Sequence, residues 1–408
     1  MAAIKGNAVI GQSGGPTNVI NQSLVGVIQE ARSGKYGHID KILGAHHGVT
    51  GIIKDDFIEL NGASDELLER IARTPSAALG STRDKPDEAY CARIFAHLRE
   101  RNVRYFFYIG GNDSADTARI VQEMSVRENF ELHVIHIPKT IDNDLRVHDH
   151  TPGYGSAAKF VAQAIAGDDY DNKSLPGIKV DIIMGRNAGF LTAASALARK
   201  YENDGPHLIY VPEAPVSPEK FLADVDRVYT KLGRCVIAIS EGITDVDNKL
   251  YAVKIGEAKE KDAHGNVQLS GSGALGDYFS NLITTKLGKE RGKKLRVRAD
   301  TFGYLQRSFL GIISEVDATE ARLVGRKAVE YSADPNNKQG SVVMTRKPGS
   351  KYEIGVHLEP LQNVARVTKH MPAEFLKDGN DVTQAFIDYA RPLIGEMPTV
   401  GSLSELKK

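Results

Sequence analysis

Cysteine is scarce in this 408-residue chain: Cys91 and Cys235 are the two it has. Both sit in apolar patterns, which argues against a disulfide framework and reads them as small buried hydrophobes. No apolar run approaches the ~18 residues a membrane-spanning helix needs. The opening Met1-Ala2-Ala3-Ile4-Lys5-Gly6 has no signal-peptide hydrophobic region, so a reducing cytoplasm is the expected compartment. An excess of one charge sign is also missing, because Lys+Arg and Asp+Glu are both 52. Without a global basic field, nothing draws the chain to nucleic acid or to an acidic membrane. An anionic substrate needs a local basic pocket instead. Internal repeats and low-complexity segments are absent as well.

What is present is a soluble globular composition, 41% hydrophobic and 25% charged. The length exceeds what one core usually supports, so two lobes are expected. Short apolar runs read as strands: Ala8–Gly11, Lys41–Ala45, Tyr105–Ile109, Leu132–Ile137, Val180–Met184, His207–Val211, Cys235–Ser240 and Leu295–Arg298. Amphipathic stretches between them read as helices: Asn18–Ala31, Glu88–Arg101, Ala115–Glu123, Ala157–Ala166, Leu191–Lys200 and Pro218–Leu232. This alternation predicts an α/β protein with mostly parallel sheets covered by helices. The expected division is residues 1–150 and 151–305, with part of 306–408 returning to the first lobe. Residues 245–273 read as a surface excursion with a hairpin around Gly265-Asn266.

The chemistry concentrates at strand ends. Pro138-Lys139-Thr140-Ile141-Asp142-Asn143-Asp144-Leu145 follows a buried strand and puts an ammonium, a hydroxyl and two carboxylates on one loop. Open α/β sheets bind ligands at that edge. Two close carboxylates need a cation beside them to ionise cheaply, and Lys139 or a metal can be that cation. A carboxylate base, a metal and a lysine point to phosphoryl transfer to an alcohol. Gly11-Gln12-Ser13-Gly14-Gly15-Pro16 and Gly110-Gly111-Asn112-Asp113-Ser114 are both strand–glycine–helix turns, the kind that offers backbone N–H groups to phosphate. Ser114 reads as a helix N-cap. Arg186, in Met184-Gly185-Arg186, can stabilise an anionic transition state. Glu241 ends an apolar strand and can accept bonds from sugar hydroxyls. Arg298, Tyr304 and Arg307 can clamp a phosphate monoester. His46-His47 and His148 with His150 lack the fuller ligand set of a zinc site.

Taken together, these segments resemble the phosphofructokinase family, in its pyrophosphate-dependent form. The resemblance implies two Rossmann-like lobes with the active site in the cleft between them. It assigns Gly15 and Arg83 (of Gly80-Ser81-Thr82-Arg83) to the donor phosphates. It assigns Asp142 as the base on the sugar 1-hydroxyl, with Thr140 and Ile141 beside it. Met184, Gly185, Arg186 and Glu241 contact the sugar; Tyr304 and Arg307 hold its phosphate, joined by Arg298 from a neighbouring subunit. A trans-acting Arg298 implies a homo-oligomer, at least a dimer. Gly177 stands where relatives often carry a second trans-acting arginine. The implied cofactor is Mg²⁺, with Asn112, Asp113 and Asp144 as candidate ligands. Asp113 stands where the α-phosphate of ATP would pass and repels it, while Lys139 supplies charge for the leaving group. The pair favours inorganic diphosphate over ATP. The implied reaction is diphosphate plus fructose 6-phosphate giving fructose 1,6-bisphosphate plus phosphate, reversibly. An ATP-dependent enzyme and a non-catalytic sugar-phosphate-binding subunit are the rival readings.

Overall fold

The computed structural model describes residues 3–256, 273–349 and 351–407, so the hairpin expected around Gly265-Asn266 lies outside the described residues. The first sheet runs β11-β10-β5-β4-β1-β2-β3. Its strands are β1 (Gly6–Gln12), β2 (Ile39–Ala45), β3 (Phe57–Glu59), β4 (Val103–Gly110), β5 (His133–Pro138), β10 (Gln339–Arg346) and β11 (Ile354–Glu359). The five inner strands are parallel, and the two edge strands are antiparallel to their neighbours. The second sheet is wholly parallel, in the order β7 (Leu208–Tyr210), β8 (Cys235–Ser240), β6 (Ile178–Ile183), β9 (Val297–Thr301). Inner strands are apolar on both faces because helices cover both faces. Tyr105, Phe106, Phe107, Tyr108 and Ile109 of β4 are accordingly buried, as are Cys91 and Cys235.

The covering helices include α1 (Ile20–Arg32), α2 (Val49–Lys54), α3 (Asp65–Arg73), α4 (Glu88–Glu100), α5 (Asn112–Arg127) and α6 (Tyr154–Ser174). Asp87 caps α4 by accepting from the Tyr90 N–H, and α6 opens at Tyr154 directly after Gly153. The helix Glu315–Ser332 lies along α1 and ties the later chain to the first sheet. The two helices approach through paired glycines. A Cβ on Gly26 would stand 2.3 Å from the Arg322 carbonyl oxygen, and one on Gly325 would stand 2.2 Å from that of Ser23. Beyond residue 370 the chain crosses to α6, where Met371, Phe375, Phe386 and Leu393 join a core with Ile165, Phe190 and Ala238.

Two local expectations are corrected. Leu191–Lys200 is not one helix but a turn of α-helix, Phe190–Ala193, followed by a 3₁₀ turn, Ala194–Ala198. Residues 190–197 are all buried, so the segment lacks the solvent face of a regular amphipathic helix. Ser114 does not cap α5. The helix starts earlier, with Gly111 at the N-cap, and the Ser114 Oγ lies 2.5 Å from that of Ser13. Gly110 keeps that bridge possible, since a Cβ there would fall 2.0 Å from the Ser114 hydroxyl.

Candidate active site

Strand ends of the first sheet build one wall of a cavity of ≈ 670 Å³. The glycine turn after β1 supplies Gly14, Gly15 and Pro16; the turn after β4 supplies Gly111, Asn112, Asp113 and Ser114. The loop after β5 supplies Lys139, Thr140, Ile141, Asp142 and Asp144, and the second sheet adds Met184 and Arg186 at the end of β6. Arg83 and Arg307 add two guanidinium groups to the lining.

These loops are tied to one another. Gly14 N donates to the Thr82 carbonyl (2.8 Å), and Ser81 Oγ donates to the Gly14 carbonyl (2.6 Å), which carries Arg83 to the turn after β1. Lys139 N donates to the Gly110 carbonyl (2.9 Å). The buried His136 ring lies 2.9 Å from that same carbonyl and 2.8 Å from Ser341 Oγ, which fastens β5 between β4 and β10. Thr140 Oγ1 accepts from the Asp142 N–H (3.1 Å) and shapes the turn into the carboxylates. Asn143, between Asp142 and Asp144, has a left-handed backbone (φ 58°).

The glycines face cations. A Cβ on Gly14 would stand 2.9 Å from Lys139 Nζ, and one on Gly15 would stand 3.0 Å from an Arg307 nitrogen. Lys139 is only 4% exposed; burial, followed by the nearby Arg307, pulls its pKa down to about 8. Burial raises Asp142, with Lys139 and Arg186 opposing it. Burial and the neighbouring Asp142 raise Asp144 to about 7. Asp142 and Asp144 therefore share a site that resists double ionisation unless cations enter.

Two buried atoms in this cavity have no hydrogen-bond partner: the Nε of Arg307 and the Oδ1 of Asn112. The first can donate to an anion. The second is a bare oxygen on the same cavity wall as Asp144. Asn112, Asp113 and Asp144 all line this cavity, and oxygen donors of this kind suit a hard cation such as Mg²⁺. Asp113 lies in the first turn of α5 and pairs with Lys85 at 3.1 Å.

Not every sequence-singled residue lines this cavity. Gly185 lies behind it with φ 137°, and its missing Cβ avoids the Ala188 carbonyl (2.7 Å). Glu241 is buried, close enough to Arg307 to raise the latter's pKa against the larger effect of burial. Tyr304 lies under the Arg307 guanidinium, 4.5 Å from ring centre to carbon. Arg298 stands exposed on β9, outside the lining. His150 bridges Asp149 (2.8 Å) and Glu320 (2.7 Å). Burial alone would lower that histidine, but the two carboxylate bonds outweigh it and raise its pKa. Asp168, Asp181 and Asp300 cluster elsewhere, where Lys179 already pairs with Asp168 and Asp300.

Sequence reasoning missed Lys85, Asp116, Asn187, Arg366 and Thr368, all of which line the cavity. Lys85 and Asp116 had a signal, each lying within one turn of a motif. Arg366 had none: it arrives from the irregular C-terminal part with φ 67° and pairs with Asp116 at 3.0 Å.

Glycine turns and cations facing paired carboxylates, at the carboxyl ends of two parallel sheets, are the equipment of a phosphoryl-transfer enzyme. Residues 7–332 match the phosphofructokinase family, and the chain belongs to it. It is 51% identical over 392 residues to the pyrophosphate–fructose 6-phosphate 1-phosphotransferase of Rhodospirillum rubrum, covering 96% of this chain and 95% of the relative. The enzyme of that name from Xanthomonas campestris pv. campestris is 37% identical, with 96% and 93% covered. Among solved structures, the pyrophosphate-dependent phosphofructokinase of Marinobacter aquaeolei superposes with a TM-score of 0.83 at 33% identity, covering 97% of this chain and 93% of that one.

Proposed function

We propose that this chain transfers a phosphoryl group from inorganic diphosphate to the 1-hydroxyl of fructose 6-phosphate, giving fructose 1,6-bisphosphate and phosphate. Asp142 takes the hydroxyl proton as the oxygen attacks the near phosphorus. The bridging P–O bond breaks, and inorganic phosphate leaves with the bond's electron pair. Lys139, Arg186 and the Gly14-Gly15 turn offset charge on the moving group and on the leaving phosphate. Arg83 meets the donor phosphates; Arg307 and Tyr304 hold the sugar phosphate, and Glu241 the sugar hydroxyls. Asn112 and Asp144, with Asp113 near them, are the candidate holders of Mg²⁺, which when bound supplies positive charge to the diphosphate oxygens.

The observation that carries the donor assignment is that Asp113 and Lys139 line one cavity. Negative charge at 113 opposes a nucleotide α-phosphate, and the ammonium at 139 faces the donor turn. The relatives' names point to the same donor. The exposed position of Arg298 on the edge strand β9 supports a contact with a second copy of the chain. No described helix is long and apolar enough to cross a membrane, and both cysteines are free and buried. Action in a reducing cytoplasm is consistent with both. The test is a donor screen at fixed fructose 6-phosphate and Mg²⁺. Diphosphate should support turnover and nucleoside triphosphates should not; brisk use of ATP with diphosphate ignored would overturn the reading.

A further inference from the structure

The loop that carries Asp142 and Asp144 is held by residues lying beyond 332, where the family match ends. It contains two left-handed non-glycine residues, Asn143 (φ 58°) and Val147 (φ 74°). Asparagine takes this conformation readily, but for a β-branched residue such as Val147 it persists only where the surroundings over-determine it. Here the surroundings are the segment Thr368–Lys369 and Tyr389. Lys369 N donates to the Asp144 carbonyl (2.7 Å), and Thr368 bridges to Leu145. The Lys369 ammonium donates to the carbonyls of His148 (3.1 Å) and Asp149 (2.9 Å) and reaches Asn143 Oδ1 (3.5 Å). Asn143 Nδ2 donates to the Tyr389 hydroxyl (2.7 Å), which itself donates to the Asp149 carbonyl (2.8 Å).

One ammonium thus grips both ends of the loop. Its three protons converge on three acceptors, which a lysine can satisfy and a neutral side chain of the same length cannot. The Nζ also lies 4.9 Å from the centre of the Phe190 ring, on the segment that follows Arg186. The grip therefore relates the two carboxylates of the first sheet's loop to the turn of the second sheet. Lys369 is not among the residues lining the cavity, so it acts through what it holds.

We propose that Lys369 is a positioning residue for the reaction: it fixes the Asp142-Asn143-Asp144 turn in the geometry from which Asp142 reaches the acceptor hydroxyl. The inference rests on the reading of Asp142 as the base. Misplacing a reacting group by about 1 Å costs on the order of 10²-fold in rate.

Lys369→Met should lower kcat by about 10²-fold while KM for fructose 6-phosphate stays within about threefold. Lys369→Arg, which keeps the charge and can fork to the two carbonyls, should recover at least about tenfold of that loss. Hydrogen exchange of the backbone amides of residues 142–149 should accelerate in Lys369→Met and recover in Lys369→Arg. A kcat within about threefold of wild type, or a loss confined to KM, overturns the proposal. If Lys369→Met does not fold, Tyr389→Phe decides: it removes the hydroxyl from the same grip and should lower kcat by about tenfold with KM unchanged, and an unchanged kcat overturns the proposal. A wild type inactive with diphosphate would sink the reading of the site; the grip itself would then stand or fall on the exchange rates.

Discussion

Replacing Lys139 by Met removes a buried ammonium while nearly keeping its length. That ammonium faces the donor turn, standing 2.9 Å from where a Gly14 Cβ would be. Two unit charges about 4 Å apart interact by about 4 kcal/mol at an effective dielectric constant of about 20. At about 1.4 kcal/mol per factor of ten, that is roughly 10³-fold in kcat/KM for diphosphate. The wild type carries its own control, because burial and Arg307 lower Lys139 to about 8. The charged form is the protonated one, so raising the pH through 8 discharges the donor site, and kcat/KM should fall about tenfold per unit above that. The kcat/KM profile reports the free enzyme, which is the state described here. Lys139→Met should lose this alkaline limb as well as activity, while KM for fructose 6-phosphate changes little. The assay is coupled detection of fructose 1,6-bisphosphate from pH 6 to 10 with diphosphate varied. A variant within tenfold of wild type, or one that keeps the limb at pH 8, refutes the electrostatic reasoning.

Further outcomes are expected. Asp142→Asn should lower kcat by about 10²–10⁴-fold with the fold intact, and Arg298→Ala should lose fructose 6-phosphate affinity. Mixing the two after dissociation should restore about a quarter of wild-type activity if Arg298 acts across subunits, because one site of each hybrid dimer then has both groups; no recovery points to action within one chain. Asp144 has a folded pKa near 7, raised by burial and Asp142. Its contribution to stability is present below its unfolded pKa of about 4 and is lost as pH rises through 7. Asp144→Asn should therefore raise Tm at pH 8 relative to wild type, with a smaller gain at pH 5; a loss at pH 8 contradicts the assignment. Gly325→Ala should destabilise by about 1–3 kcal/mol, since its Cβ falls 2.2 Å from the Ser23 carbonyl oxygen, read as a lowered denaturation midpoint.

The site was legible wherever its chemistry is local. A glycine turn, a hydroxyl and a carboxylate pair within a few residues of a buried strand declare a strand-end loop, because turn geometry and side-chain spacing are set by neighbours in sequence. Lys139, Asp142, Asp144 and Arg186 were found that way, Met184 through the family resemblance, and they line one cavity. Ser114 shows the limit of such reasoning. Its type and place fitted a cap, but a hydroxyl on Ser13, more than ninety residues earlier, claims it instead. Arg366 and Lys369 show the opposite failure. They stand in no motif, and what makes them relevant is an approach to Asp116 and to the loop 143–149 across more than two hundred residues.

Alternating apolar runs and helical stripes thus determined by themselves that this chain makes parallel sheets covered by helices, since burying such faces requires it. Strand-end residue types determined that cations and carboxylates gather there. The tertiary structure alone decided which charges share a cavity and how far each pKa moves, because electrostatic energy depends on distance and burial, and neither is written in the order of residues. It also decided that the C-terminal segment grips the loop 143–149, a contact between residues more than two hundred apart in the chain.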